Sequence, residues 1–278
     1  MIHPASSAMP DRRKPMHIHT LRCFGATANT GNPAIVIEGD PSRLDARQAF
    51  ARERNTTCVW IDPPQDKGMA AIVDFYYPHM RSPLCLHATL AAAARLFARP
   101  GANPPLTVKT AMHGLPLALT REAEHLFVRL APQPAPQPAL SPELPARLLG
   151  IPTSAIVAAP QVASVGSPKL LVRVRDPATL HALAPDLEAI AQWGKEHGVN
   201  GLYAYAGDAD AQAFEGRNFN HLDPRLEDSA TGVAAGALTV LLGHALTVRQ
   251  GHATGHDCLI RTRIEDGAIL VGGRVEMI

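Results

Sequence analysis

Two short stretches combine side chains that can move a proton or hold an anion: Leu86-His87-Ala88-Thr89 and Asp228-Ser229-Ala230-Thr231-Gly232. Each opens an alanine-rich, nearly uncharged run, HATLAAAARLFA in the first case and ATGVAAGALTVLLGHAL in the second. A helix started at either place has unpaired N–H groups in its first turn and roughly half a positive charge from its aligned dipoles. Two such ends facing one cleft would bind a carboxylate and stabilise negative charge developing on it, through N–H groups at Ala88, Thr89 and Ser229 to Gly232. His87 and Asp228 would sit beside that anion as groups able to exchange a proton. The plainer alternative is capping, for which Asp228, Ser229 and Thr231 are well suited. Position alone leaves both readings open.

Helices that are apolar on every side are buried on every side, so strands should surround both. The chain supplies them in two sets. HIHTLRCF, AIVIE, CVWID, AAIVDFYY, LTVKT and HLFVRL precede a break; AIVAA, LLVRVR, GLYAYAG, AFEGRNF, CLIRTRI and AILVGGRVEM follow it. The more polar runs PSRLDARQAFARE and PATLHALAPDLEAIAQWGKEH read as outer helices. The break is residues 131–145, with six prolines in APQPAPQPALSPELP. Proline fixes φ and removes a backbone donor, which suits neither a helix interior nor a central strand. Laying Ala88-Thr89 on Ala230-Thr231 also brings Ala92-Ala93 onto Ala234-Ala235 and Leu96 onto Leu238, a pattern that suggests a duplicated domain. The expected organisation is a disordered extension over 1–15, an N-terminal domain over 16–130, a Pro-rich linker over 131–145 and a C-terminal domain over 146–278.

The 278 residues carry a formal charge of +1, which argues against a dedicated nucleic-acid binder. No run approaches the roughly 18 apolar residues of a membrane span, and the first fifteen residues lack the apolar core of a signal peptide. A cytoplasmic protein is expected. Cys23, Cys58, Cys85 and Cys258 are too far apart for a four-ligand zinc pattern and read as reduced thiols. The histidines are scattered, so no metal site is expected. With neither GxGxxG nor a Walker pattern, no nucleotide cofactor is expected either. Gly272-Gly273 reads as a turn or bulge.

From about His17 to the C-terminus the chain resembles the PhzF-like isomerases, the phenazine-biosynthesis family with the diaminopimelate-epimerase-like fold. The likeness lies in Gly31-Asn32-Pro33 before AIVI, PLCLHATLAAA around His87, EDSATGVAAGAL around Asp228, and Gln250-Gly251 followed by LVGGRVEM. It implies an α+β protein of two similar domains, each a curved sheet wrapped around a central buried helix, with the active site between them. It also implies a homodimer without a cofactor that moves a proton within a small carboxylate-bearing metabolite. His87 and Asp228 match the family's histidine and aspartate.

The family's proton-carrying glutamate lies in a motif that resembles Asn55-Thr56-Thr57-Cys58-Val59, which puts Cys58 in its place. Leu86 replaces the glycine before the histidine, Val233 a serine, and Arg81 an acidic residue. The expected site is therefore bulkier and more positive, with Cys58 as the base, His87 supporting the thiolate and Asp228 as the partner. Cys85 reads as structural. The alternative is a small-acid binding protein that keeps the fold without a working base, with Cys58 as buried filler on the face of TTCVWI that also carries Trp60.

Overall fold

The computed structural model describes residues 15–141, 143–208, 210–219 and 227–278. Apart from its last residue, the extension expected over 1–15 lies outside them. The N-terminal half runs β1 (His17–Cys23), β2 (Asn32–Glu38), α1 (Leu44–Arg54), β3 (Cys58–Asp62) and β4 (Ala71–Tyr76). It continues with β5 (Arg81–Ser82), α2 (Leu86–Phe97), β6 (Leu106–Thr110), β7 (Pro116–Glu122) and β8 (His125–Leu130). The C-terminal half begins α3 (Glu143–Leu149), β9 (Gln161–Ala163), β10 (Lys169–Arg173), α4 (Pro177–His181) and α5 (Leu187–His197). It ends β11 (Leu202–Asp208), β12 (Ala213–Phe219), β13 (Glu227–Asp228), α6 (Gly232–Leu242), β14 (Leu246–Gln250), β15 (Cys258–Glu265) and β16 (Ala268–Met277).

Strand pairing sorts these into two sheets that share one strand. β1, β2, β3, β4, β6, β7, β8 and β16 follow one another, and β16 pairs back onto β1 to close an eight-stranded barrel. From β16 the order continues through β15, β14, β12, β11, β10 and β9 as a curved sheet. The barrel wraps α2, whose Ala88, Ala91, Ala92 and Ala93 are fully buried, and the second sheet wraps α6. Both helices belong to one apolar core that runs through both halves. Small residues let a helix sit this close to the strands around it: a Cβ on Gly236 would come 3.1 Å from Val271 Cγ2 of β16. Two satellite clusters lie on the outer faces, one under α1 and one under α3, α4 and α5.

Local chemistry corrects several sequence expectations. PATLHALAPDLEAIAQWGKEH makes two helices, because Pro185 breaks the run and Asp186 caps a fresh start by accepting from the Ala189 N–H at 2.9 Å. AIVAA is not a strand; its Ile156 makes only an isolated bridge to Val174. Helix α3 starts at Glu143, inside the stretch expected to be linker. Of the turn or bulge expected at Gly272-Gly273, the turn is excluded: both lie within β16, where a Cβ on Gly272 would meet the Leu126 carbonyl at 2.1 Å. Among the described residues no helix is long and apolar enough to cross a membrane.

Candidate active site

The two short stretches singled out from the sequence meet. Gly232, first residue of α6, packs on Leu86, first residue of α2: a Cβ there would lie 3.0 Å from Leu86 Cδ1. On the α2 side the Cys85 sulfur is 3.3 Å from His87 Nδ1, with both residues almost fully buried. Burial works against a charged His87 ring, but the Cys85 sulfur and the Asp228 carboxylate outweigh it and raise its pKa above the ordinary 6.5. The Tyr77 hydroxyl lies near Cys85 and Asp228, and burial together with these neighbours pushes its pKa well above 10.

On the α6 side Asp228 accepts hydrogen bonds at both carboxylate oxygens, from Thr231 Oγ1 at 2.6 Å and from Asn32 Nδ2 at 3.3 Å. The Asn32 bond joins the halves, since Asn32 opens β2. Gln250 fixes the segment from behind: its amide donates to the Asp228 carbonyl at 2.6 Å, and its Oε1 accepts from the Thr231 N–H and the Tyr203 hydroxyl, each at 3.2 Å. Tyr203 reaches Gln250 across Gly216, where a Cβ would fall 2.0 Å from the phenolic oxygen. Only glycine leaves room for that contact.

The expected anion-binding N–H groups are partly occupied. Thr89 donates both its N–H and its hydroxyl to the Cys85 carbonyl, at 2.9 and 2.8 Å, as an ordinary helix bond and a side-chain bond back to the residue four earlier. The Thr231 N–H serves Gln250. The Ser229 hydroxyl accepts from Thr254 Oγ1 at 2.9 Å, and Ala230 is buried apolar filling. Among the described residues, the first-turn N–H groups without a partner belong to Leu86, His87 and Ala88 on α2 and to Gly232 and Val233 on α6.

Cys58 does not join them. Strand alternation sends Val59 and Ile61 into the core around α2, and Cys58 and Trp60 to the outer face. There Cys58 packs with Ile35, Trp60 and Tyr76 under α1 and its sulfur contacts the Thr56 carbonyl at 3.4 Å. Burial pushes its thiol pKa up to about 12, with Arg54 pulling weakly the other way. This geometry fits the reading of Cys58 as buried filler on the face that also carries Trp60, with that face turned outward, under α1. Arg81 is likewise turned away: its Nε pairs with Asp74 at 2.8 Å on the outer face, away from the two helix starts.

Three further polar residues at this end of the molecule escaped the sequence reading, Tyr77, Lys169 and Asn218, and the side chain of Asn32 had no role in it beyond the Gly31-Asn32-Pro33 marker. Lys169 and Asn218 lie on the inner face of the second sheet, like their paired neighbours Ala163 and Tyr203. Lys169 is 1% exposed, and burial pulls its pKa down to about 8 against the opposing effect of Asp228. A lysine opening the otherwise apolar run KLLV is the signal that could have found it.

The profile of the PhzC-PhzF family, described as phenazine biosynthesis-like protein, matches residues 21–275. The chain belongs to this family. It is 28% identical over 291 residues to an uncharacterized isomerase of Deinococcus radiodurans, covering 93% of this chain and 88% of that one. Among solved structures it resembles a predicted epimerase of Pseudomonas aeruginosa, with a TM-score of 0.78 at 23% identity over 94% of this chain and 96% of the other. It also resembles a hydroxyproline epimerase of Agrobacterium vitis crystallised with trans-4-hydroxy-L-proline. Here the TM-score is 0.64 at 13% identity, over 96% and 91% of the two chains. The PhzC-PhzF chain described here thus has the two-part diaminopimelate-epimerase-like architecture that its motifs implied.

Proposed function

We propose that this PhzC-PhzF protein is a cofactor-independent isomerase or epimerase that moves a proton on a small carboxylate-bearing metabolite. The observation that carries the reading is the Cys85–His87 contact at one buried helix start, with Asp228 held at the other. Proton transfer from Cys85 to His87 gives a thiolate beside an imidazolium, and a raised His87 pKa favours that pair. The thiolate takes a proton from the carbon next to the substrate carboxylate. The electron pair moves onto the carboxylate as an enolate, which the N–H groups of Leu86 to Ala88 and of Gly232 and Val233 stabilise. Return of a proton from the imidazolium to a second carbon shifts a double bond. Return of the imidazolium proton to the opposite face of the first carbon, by way of the Asp228 carboxylate, inverts it. The isomerase name of the Deinococcus relative agrees with either course.

The decisive test is hydrogen exchange. Small hydroxy-, amino- and unsaturated acids are incubated with the protein in D2O, and loss of carbon-bound proton signal is followed by NMR. Exchange should fall by roughly 10²-fold or more in Cys85→Ala, His87→Gln and Asp228→Asn variants. Acids that bind without any exchange would support the alternative, a binding protein that kept the fold. The homodimer implied by the family likeness belongs to the same proposal, and light scattering at twice the protomer mass is its expected result.

A further inference from the structure

Asn218 is 0% exposed, and among the described residues neither its Oδ1 nor its Nδ2 has a hydrogen-bond partner. A buried amide left unpaired is costly, and the uncommon cases call for a specific reason. Its place supplies one. Asn218 pairs in register with Tyr203 on one side and Asp228 on the other, so all three project from the same inner face. Arg217 and Phe219 point outward instead, Arg217 to Glu227 and the carbonyls of α4 and Phe219 into the outer cluster.

Lys169 opens β10 at this same end of the sheet. Among the described residues its ammonium has no carboxylate within ion-pair distance, and its one hydrogen bond goes to the Asn200 carbonyl. The Asn200 side-chain oxygen is itself buried without a partner. The loop leading into β10 borders the Cys85–His87 side: a Cβ on Gly166 would touch Leu84 Cδ2 at 2.9 Å. Uncommitted N–H donors of Lys169 and Asn218 outnumber the free amide oxygens near them. A donor-rich, cationic, water-poor corner suits an anionic oxygen group.

We propose that Lys169 and Asn218 form a subsite for a second carboxylate of the substrate, which makes the substrate class a small dicarboxylic acid. The subsite rests on the isomerase reading for its meaning but is testable without it. Lys169 and Asn218 hold the far carboxylate, while the helix-start N–H groups hold the near one beside Cys85 and Asp228. The lowered pKa of Lys169, about 8, is consistent with a cation kept from water until an anion arrives.

The test is calorimetric titration of the full chain with succinate and glutarate, set against butyrate and valerate of matching length. The dicarboxylates should bind on the order of tenfold tighter or more. Lys169→Met and Asn218→Leu should each erase most of that difference and leave the monocarboxylates unchanged. Asn218→Leu should also raise Tm, on the order of 2–4 °C, because it removes an unpaired buried amide. Equal affinity for both acid classes, no binding of either, or a difference that survives both substitutions would overturn the subsite. The two proposals fail separately. Dicarboxylates that bind as described without exchanging a proton sink the isomerase reading alone; exchange confined to monocarboxylates sinks the subsite alone.

Discussion

Three thiols and an imidazole illustrate how much an immediate environment decides for a side chain. Cys58, Cys85 and Cys258 are all buried and unpaired. Burial pushes the thiols of Cys58 and Cys258 up to about 12, whereas Cys85 has an imidazole at 3.3 Å. Cys58 should therefore resist iodoacetamide in the folded protein near pH 8 and label only after denaturation, as read by peptide mass spectrometry. Cys58→Val should leave any proton exchange within about twofold of wild type, since the change is a near-isosteric one in an apolar cluster. His87 gives a prediction with a sign. Its folded pKa is raised, so the stabilisation from the protonated ring is complete below about pH 6.5 and is lost as pH rises through the raised value. The difference in unfolding free energy between wild type and His87→Gln should shrink from pH 6 towards pH 9 in urea titrations. A difference independent of pH would mean that the ring acts there by packing alone.

At the scale of elements, the geometry of Asp228 depends on what braces the two-residue strand β13 and the start of α6. Gln250 is that brace, with four hydrogen bonds to Asp228, Thr231 and Tyr203. Gln250→Met keeps the volume and removes all of them, leaving the Asp228 carbonyl and the Thr231 N–H unpaired. A loss of about 2–4 kcal/mol is expected, measured by chemical denaturation. Gly216→Ala should act on the same brace from a distance, because the new methyl would occupy the path of the Tyr203 side chain to Gln250. Its expected cost is about 1–3 kcal/mol. A neutral result for Gly216→Ala would mean that Tyr203 relocates freely and does not hold Gln250. Leu86 fills the contact between the two helix starts, against Gly232.

For the molecule as a whole, β16 decides how independent the halves are. Its residues Ile269 to Arg274 pair with β8, Val275 to Met277 pair with β1, and Ala268 to Gly272 pair with β15. One strand thus closes the barrel and anchors the second sheet, and the apolar core is continuous across both. Thermal unfolding should accordingly be one cooperative transition by calorimetry, not two. A fragment of residues 16–130 would lack β16 and expose the edges of β1 and β8, so it should aggregate or lack dispersed NMR signals. A well-folded fragment would show that the barrel stands without its closing strand.

Local pattern was enough for the sequence to determine the two buried helices, most of the strands and the helix-start positions of His87 and Asp228. Alanine-rich runs can only be central helices, and β-branched runs between breaks suit strands. It also located the family through ordered motifs. What only tertiary structure decided is which face a residue shows and what lies opposite it. A shift of one residue along a strand reverses the face, which is why Cys58 points under α1 while Val59 meets α2. Asn32, Lys169, Asn218 and Gln250 come from four separate strands, and nothing in their spacing announces that they share one end of the fold. The strand β16 reads as one more C-terminal strand in the sequence. Its bond to β1, nearly the length of the chain away, exists only once the barrel has closed.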